Sequence, residues 1–140
     1  MSDAAGATAH YAGLLGIDSS AFVPISSDRY GYSGTLTLLD PDRLDRLEVI
    51  APDQPGSTMH RYFERFGESL YMAFAETDQL PAIAERIAET GAGATVEQGD
   101  GERGPNTVFL HPSSLGGMML GLSRRTVAWV WSGHPERVEH

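Results

Sequence analysis

The sequence contains no cysteine. Without thiols there is no disulfide framework and no thiolate nucleophile, so a reducing, cytoplasmic setting is expected. Long hydrophobic runs are also missing: no stretch approaches the roughly 18 apolar residues that a membrane span requires. No basic-then-apolar segment of the secretory kind opens the chain. Positive charge is scarce. Ten Lys and Arg stand against nineteen Asp and Glu, a formal net charge of −9. No basic stripe exists to neutralise phosphates, so nucleic acid is not an expected partner. The glycines at 91–93, 99–104 and 116–117 read as turns, and none forms a phosphate-binding signature after a strand. No serine sits in a nucleophile-elbow pattern.

What is present is a chain of 140 residues, long enough for one domain with its own core. It carries a weak internal duplication. Thr35-Leu-Thr-Leu-Leu-Asp-Pro41 recurs, one residue shorter, as Thr107-Val-Phe-Leu-His-Pro112. Each copy is followed by another apolar run, Arg46-Leu-Glu-Val-Ile50 and Gly117-Met-Met-Leu-Gly-Leu122. Such repeats predict one pseudo-symmetric domain with a ligand at the seam between its halves.

Local signals place the elements. Residues 4–15 read as a helix, capped by Ser2 or Asp3 and stopped by Gly16. Strands are expected at 21–25, 35–39 and 46–51, with a loop over 28–34 and a turn at Asp40-Pro-Asp42. Ser57 caps a short helix through Phe66. A strand at 69–75 precedes the clearest helix, where Asp78 is the expected N-cap. Leu80, Ile83, Ala84, Ile87 and Ala88 form its apolar stripe, and Gly91 ends it. Strands at 94–98, 107–110 and 117–123 follow, with a hairpin over 99–106. A last strand is expected over Thr126-Val-Ala-Trp-Val-Trp-Ser132. The second half thus reads β-α-β-β-β, and the first reads α-β-β-β without an opening strand.

With that pattern, three segments resemble the vicinal oxygen chelate superfamily, the glyoxalase, bleomycin-resistance and extradiol dioxygenase group. They are Arg46-Leu-Glu-Val-Ile-Ala-Pro52, Phe74-Ala-Glu-Thr-Asp-Gln-Leu-Pro-Ala-Ile-Ala and Phe109-Leu-His-Pro-Ser-Ser-Leu-Gly-Gly-Met-Met-Leu120. The last is most similar to the methylmalonyl-CoA epimerase branch. The resemblance covers about residues 3–123. It implies an α+β fold of paired βαβββ modules whose curled mixed sheets form a cleft. Module one spans about 3–52 and module two about 69–123, in a single domain over 1–140.

The resemblance also implies a divalent metal held by the first and fourth strands of each half. Carried over by position, Glu48 matches a ligand, whereas Tyr71 and Gly121 stand where histidine and glutamate are usual. The first strand of module one is missing. Strand 126–132 is proposed to fill its slot, within the chain or swapped between two chains of a homodimer, which would place Ala128 at the remaining ligand position. One carboxylate cannot hold a catalytic divalent ion, which needs about three protein ligands. No metal or other cofactor is therefore expected.

Strand alternation supplies the rest of the candidate site. Leu70, Met72 and Phe74 are assigned to the helices, with Tyr71, Ala73 and Ala75 facing the cleft. Arg46, Glu48 and Ile50 share a face, and Met119 and Gly121 alternate likewise. Val130 and His111 complete the expected cleft lining. Glu48 is the candidate base, with Tyr71 or Arg46 stabilising developing negative charge. Each has a plainer reading. Glu48 can simply pair with Arg46 on a solvated strand face, Tyr71 can be a core tyrosine, and His111 can cap a turn. Trp129 and Trp131 can serve a core or a dimer interface.

Three functions stay open. One is a metal-independent lyase, isomerase or cyclase acting on a small carbonyl-bearing molecule or acyl thioester. Another is a non-catalytic binding protein that sequesters an antibiotic or toxin. The third is a subunit whose missing strand comes from a partner chain.

Overall fold

The computed structural model describes residues 1–99 and 104–139, which divide into two compact units, Met1–Ser69 and Leu70 onward. The first opens with α1 (Ala4–Leu15). Asp3 caps it, its Oδ1 accepting from the Gly6 amide at 2.9 Å. Gly16 ends it at φ 67°, a conformation that a side chain would strain. β1 (Val23–Ser27), β2 (Tyr32–Leu38) and β3 (Arg46–Pro52) then form an antiparallel sheet in the order β1-β2-β3. After β3 comes α2 (Thr58–Phe66), where Ser57 Oγ accepts from the His60 amide at 3.2 Å.

α1 packs on β2 and β3. The Thr8 and Thr35 hydroxyls meet at 2.7 Å, and Thr35 is directly opposite Val49. The helix therefore covers the face carrying Thr35 and Val49. Arg46, Glu48 and Ile50 alternate onto the other face. Among the described residues no strand lies beside β3 on its outer edge, where the Met1 ammonium donates to the Ile50 carbonyl at 2.9 Å. The opening strand missing from the sequence pattern is missing from the sheet.

The second unit contains β4 (Met72–Glu76), α3 (Leu80–Thr90), β5 (Ala94–Gln98), β6 (Pro105–Leu110), α4 (Pro112–Leu115) and β7 (Met119–Ser123). Its sheet runs β4-β7-β6-β5, with β4 parallel to β7 and the other pairs antiparallel. α3 packs on β6, and Leu80 and Val108 are buried in this core. No helix among the described residues is long and apolar enough to cross a membrane.

Several expectations are corrected. β1 starts two residues late because Asp18 caps a 3-10 turn over Ser19–Ala21, its Oδ1 taking the Ser20 amide at 2.8 Å. Gln79, not Asp78, precedes α3. The Asp78 carboxylate instead faces Arg125 at 3.7 Å. The hairpin expected over 99–106 falls partly outside the described residues. The largest correction is at 126–132, which form no strand and fill no slot in the first sheet. Thr126 turns the chain at φ 64°, and a 3-10 turn over Val127–Trp129 follows. The apolar alternation that read as a strand instead buries Val127, Ala128 and Trp129 within the second unit.

Candidate functional site

The first unit concentrates its chemistry on the sheet face turned away from α1. Arg46 Nε donates to Glu48 Oε1 at 2.9 Å, and the two side chains are only 10% and 19% exposed. The sequence allowed this pair on a solvated surface, but burial makes it a different object. Removing two charges from water is costly, and the cost is offset only where they meet each other. The face around them is apolar. Leu36 and Leu38 stand directly opposite Glu48 and Arg46, and buried Ile50 follows on β3.

Tyr32 joins this face. It opens β2 in phase with Gly34, Leu36 and Leu38. Burial pushes its phenol above the ordinary tyrosine value; the Glu48 carboxylate adds to the rise and the Arg46 guanidinium opposes it. Near neutral pH it is a protonated hydrogen-bond donor within the electrostatic reach of both charges. The sequence alone places Tyr32 in a loop over 28–34. The two-residue period Tyr32, Gly34, Leu36 and Leu38 was the signal that could have placed it on a strand.

The second unit treats the other candidates differently. Met72 pairs with Met119, Phe74 with Gly121 and Phe109 with Gly121, so these residues share one sheet face. Ala73 pairs with Leu120 and lies on the opposite face from Met119. Tyr71 precedes the strand, where its carbonyl accepts from the Met119 amide at 3.0 Å; by alternation its side chain falls with Ala73. Tyr71 and Ala73 are thus not brought together with Met119 and Gly121. Phe74 was assigned to the helices, yet its ring meets Trp131 edge-on at 5.5 Å and Phe109 at 6.5 Å. Leu70 is 82% exposed.

Ala128 is buried in the 3-10 turn, and Val130, beyond it, is half exposed. His111 precedes α4 without capping it. Its Nε2 and the Thr95 hydroxyl meet at 2.9 Å, and its amide donates to the Gly93 carbonyl at 2.9 Å.

No family model matches the sequence, and no curated protein does so. Solved structures do match. A methylmalonyl-CoA epimerase from Mycobacterium tuberculosis superposes with a TM-score of 0.67 at 18% identity, covering 94% of this chain and 86% of its own. A methylmalonyl-CoA epimerase in complex with methylmalonyl-CoA and NH4+ gives 0.68 at 20% identity, over 89% and 88% of the two chains. A hypothetical protein from Bacillus halodurans gives 0.66 at 16% identity, over 90% and 88%. The chain has the vicinal oxygen chelate fold. Each unit follows the glyoxalase-like strand plan, the first one strand short among the described residues.

The metal that this fold implies finds no fitting donor set here. Glu48 already accepts from a guanidinium, a fixed cation beside its carboxylate. At Gly121 a Cβ would come within 2.6 Å of Phe74 Cε2, so the glutamate usual at that position would require the Phe74 ring to move. Among the described residues, no group of three or more His, Cys, Asp or Glu could hold an ion.

Proposed function

We propose that this protein binds a small carbonyl-bearing molecule, an acyl thioester, against the Glu48 face of the first unit and moves a proton on it. The supporting observation is the buried Arg46–Glu48 pair on an otherwise apolar sheet face. Among the described residues, the Glu48 carboxylate's hydrogen bond is to Oε1, which leaves Oε2 for a ligand. In this reading Oε2 takes the proton from the carbon next to the thioester carbonyl. The C–H electron pair moves into the carbon–carbon bond and the carbonyl π pair moves to oxygen, giving an enolate. The Arg46 charge and the Tyr32 phenol stabilise that oxygen. Return of the proton on the same face restores the substrate, whereas a proton from water delivered to the opposite face gives the epimer, with Glu48 releasing its own proton to solvent. The chain contains no lysine, so carbonyl activation through a lysine Schiff base is not open to it.

Structures of this fold are known in complex with methylmalonyl-CoA and with 2-nitronate-propionyl-CoA, which makes an acyl thioester the first compound to test. A second reading, binding without turnover, is favoured by the same ion pair. A guanidinium fixed on Oε1 suits a recognition site as well as a base.

The experiment is proton exchange. Methylmalonyl-CoA incubated with the protein in D2O should gain deuterium at its α-carbon, followed by NMR. Glu48→Gln should lower that rate by about a hundredfold or more while binding persists. Binding without exchange would select the second reading. Neither binding nor exchange would remove the acyl thioester.

A further inference from the structure

The outer edge of β3 belongs to the same residues as the charged face. Two hydrogen bonds just beyond the strand ends show which way its backbone groups point. The Leu39 amide donates to the Asp45 carbonyl at 2.8 Å, and the Asp53 amide donates to the Gly31 carbonyl at 3.2 Å. Asp45 and Asp53 thus bond toward β2, and alternation gives Leu47, Val49 and Ala51 the same direction. Arg46, Glu48, Ile50 and Pro52 then aim their backbone groups outward. Two observations agree. The Ile50 carbonyl takes the Met1 ammonium at 2.9 Å, and Pro52, which has no amide to donate, falls at an outward position.

In the second unit the corresponding edge is occupied. The Met119 amide donates to the Tyr71 carbonyl at 3.0 Å, and the Ser123 carbonyl accepts from the Thr77 amide at 2.9 Å. Gly121 lies between them in the same phase, so its backbone groups face β4. Glu48 holds the matching place in β3. Among the described residues no strand lies beyond β3 to bond its amide and carbonyl.

We propose that this edge binds the arm of the acyl thioester, through two amides that exchange hydrogen bonds with the Glu48 backbone. The Glu48 amide donates to the arm carbonyl nearer the sulfur, and the Glu48 carbonyl accepts the N–H of the amide beyond it. This rests on the reading of the Glu48 face given above and narrows its ligand to an acyl group carried on a pantetheine-type arm. An extended peptide adds to a sheet edge in the same way.

The arm then runs antiparallel to β3, with its sulfur toward Arg46. The Glu48 carboxylate leans to that side, since Oε1 accepts from Arg46 Nε. A neighbour bonded to the edge lies about 4.8 Å from β3 in the plane of the sheet. The sulfur and two methylenes between the thioester carbonyl and the first amide bridge from that lane to the carboxylate above the face. Two more methylenes separate the amides, and rotation about them turns one C=O and one N–H to the same side.

Methylmalonyl thioesters that differ only in the arm test this on the whole chain, with binding followed by NMR. The N-acetyl-β-alanylcysteamine thioester carries both amides. Its 3-acetoxypropionylcysteamine counterpart replaces the outer N–H by an ester oxygen and should bind about tenfold more weakly. The butyl thioester, with no amide, should lose about tenfold more. Saturation with the two-amide thioester should slow hydrogen exchange of the Glu48 amide at least about tenfold and leave that of Val49, which bonds toward β2, unchanged. Equal affinity across the series, with Glu48 exchange unaltered, would overturn the arm site. Deuterium uptake at the α-carbon of those same thioesters would then show that the Glu48 face reading survives without it. A chain that neither binds nor deuterates any of the three would remove the face reading and the arm together.

Discussion

The two units run the same strand plan with opposite chemistry. Without β4, the second sheet is β7-β6-β5, the counterpart of β3-β2-β1. Glu48 and Gly121 are each the third residue of the corresponding strand, β3 and β7. Around Glu48 the first unit gathers a guanidinium and a phenol. Above Gly121 the second lays the Phe74 ring, itself covered by Trp131. The backbone of this fold thus sets where a side chain points but not whether it carries charge, which is why a shared fold does not transfer a reaction.

The sharpest way to break the contrast is to make the second unit resemble the first. Gly121→Glu forces a side chain into the Phe74 ring and puts a carboxylate beneath an aromatic cover. Overpacking and an unpaired buried charge act together, so a loss of about 4 kcal/mol or more is expected. Urea unfolding would measure it. A variant within about 1 kcal/mol of wild type would mean that the aromatic cover yields easily, and the contrast would be weaker than drawn.

A smaller effect separates buried from exposed charge. Arg46→Met leaves Glu48 buried without its partner and should cost about 3 kcal/mol, whereas the double variant Arg46→Met with Glu48→Leu should return most of that loss. Arg86 and Glu89 on α3 make a pair of the same 2.9 Å length, but at 75% and 57% exposure. Arg86→Met should therefore change stability by no more than about 0.5 kcal/mol. Equal losses from Arg46→Met and Arg86→Met would show that burial does not distinguish the two pairs.

The sequence made some of this legible and concealed the rest for physical reasons. Helix stops at Gly16 and Gly91, the Asp3 and Ser57 caps and the missing strand of the first module were readable because they rest on local chemistry. The Arg46, Glu48 and Ile50 face followed from alternation alone. Residues 126–132 misled because Val127, Trp129 and Trp131 alternate as a strand would, and only tertiary burial selects the 3-10 turn. Tyr71 was drawn toward the site by a likeness in position, but alternation measured against Met119 puts it on the other face. Tyr32 was lost because Tyr30-Gly-Tyr32 looks like a turn until its pairing with Pro52 is known.

Tyr32 offers the smallest and most selective test of the charged face. Its phenol is raised above the ordinary value of 10.0, first by burial and then by the Glu48 carboxylate. The folded chain therefore keeps this proton at pH values where the unfolded chain has released it. The associated stability is complete below about pH 10 and is lost as pH rises through the higher folded value. Tyr32→Phe removes the titration, so chemical denaturation followed upward from pH 9 should show a shallower decline than wild type. Replacing Glu48 by Gln should also soften the decline, because one cause of the shift is gone, while burial keeps part of it. An unaltered alkaline slope in Tyr32→Phe would mean that the phenol is as well solvated in the folded chain as in the unfolded one. The polar cluster of the first unit would then contract to Arg46 and Glu48 alone.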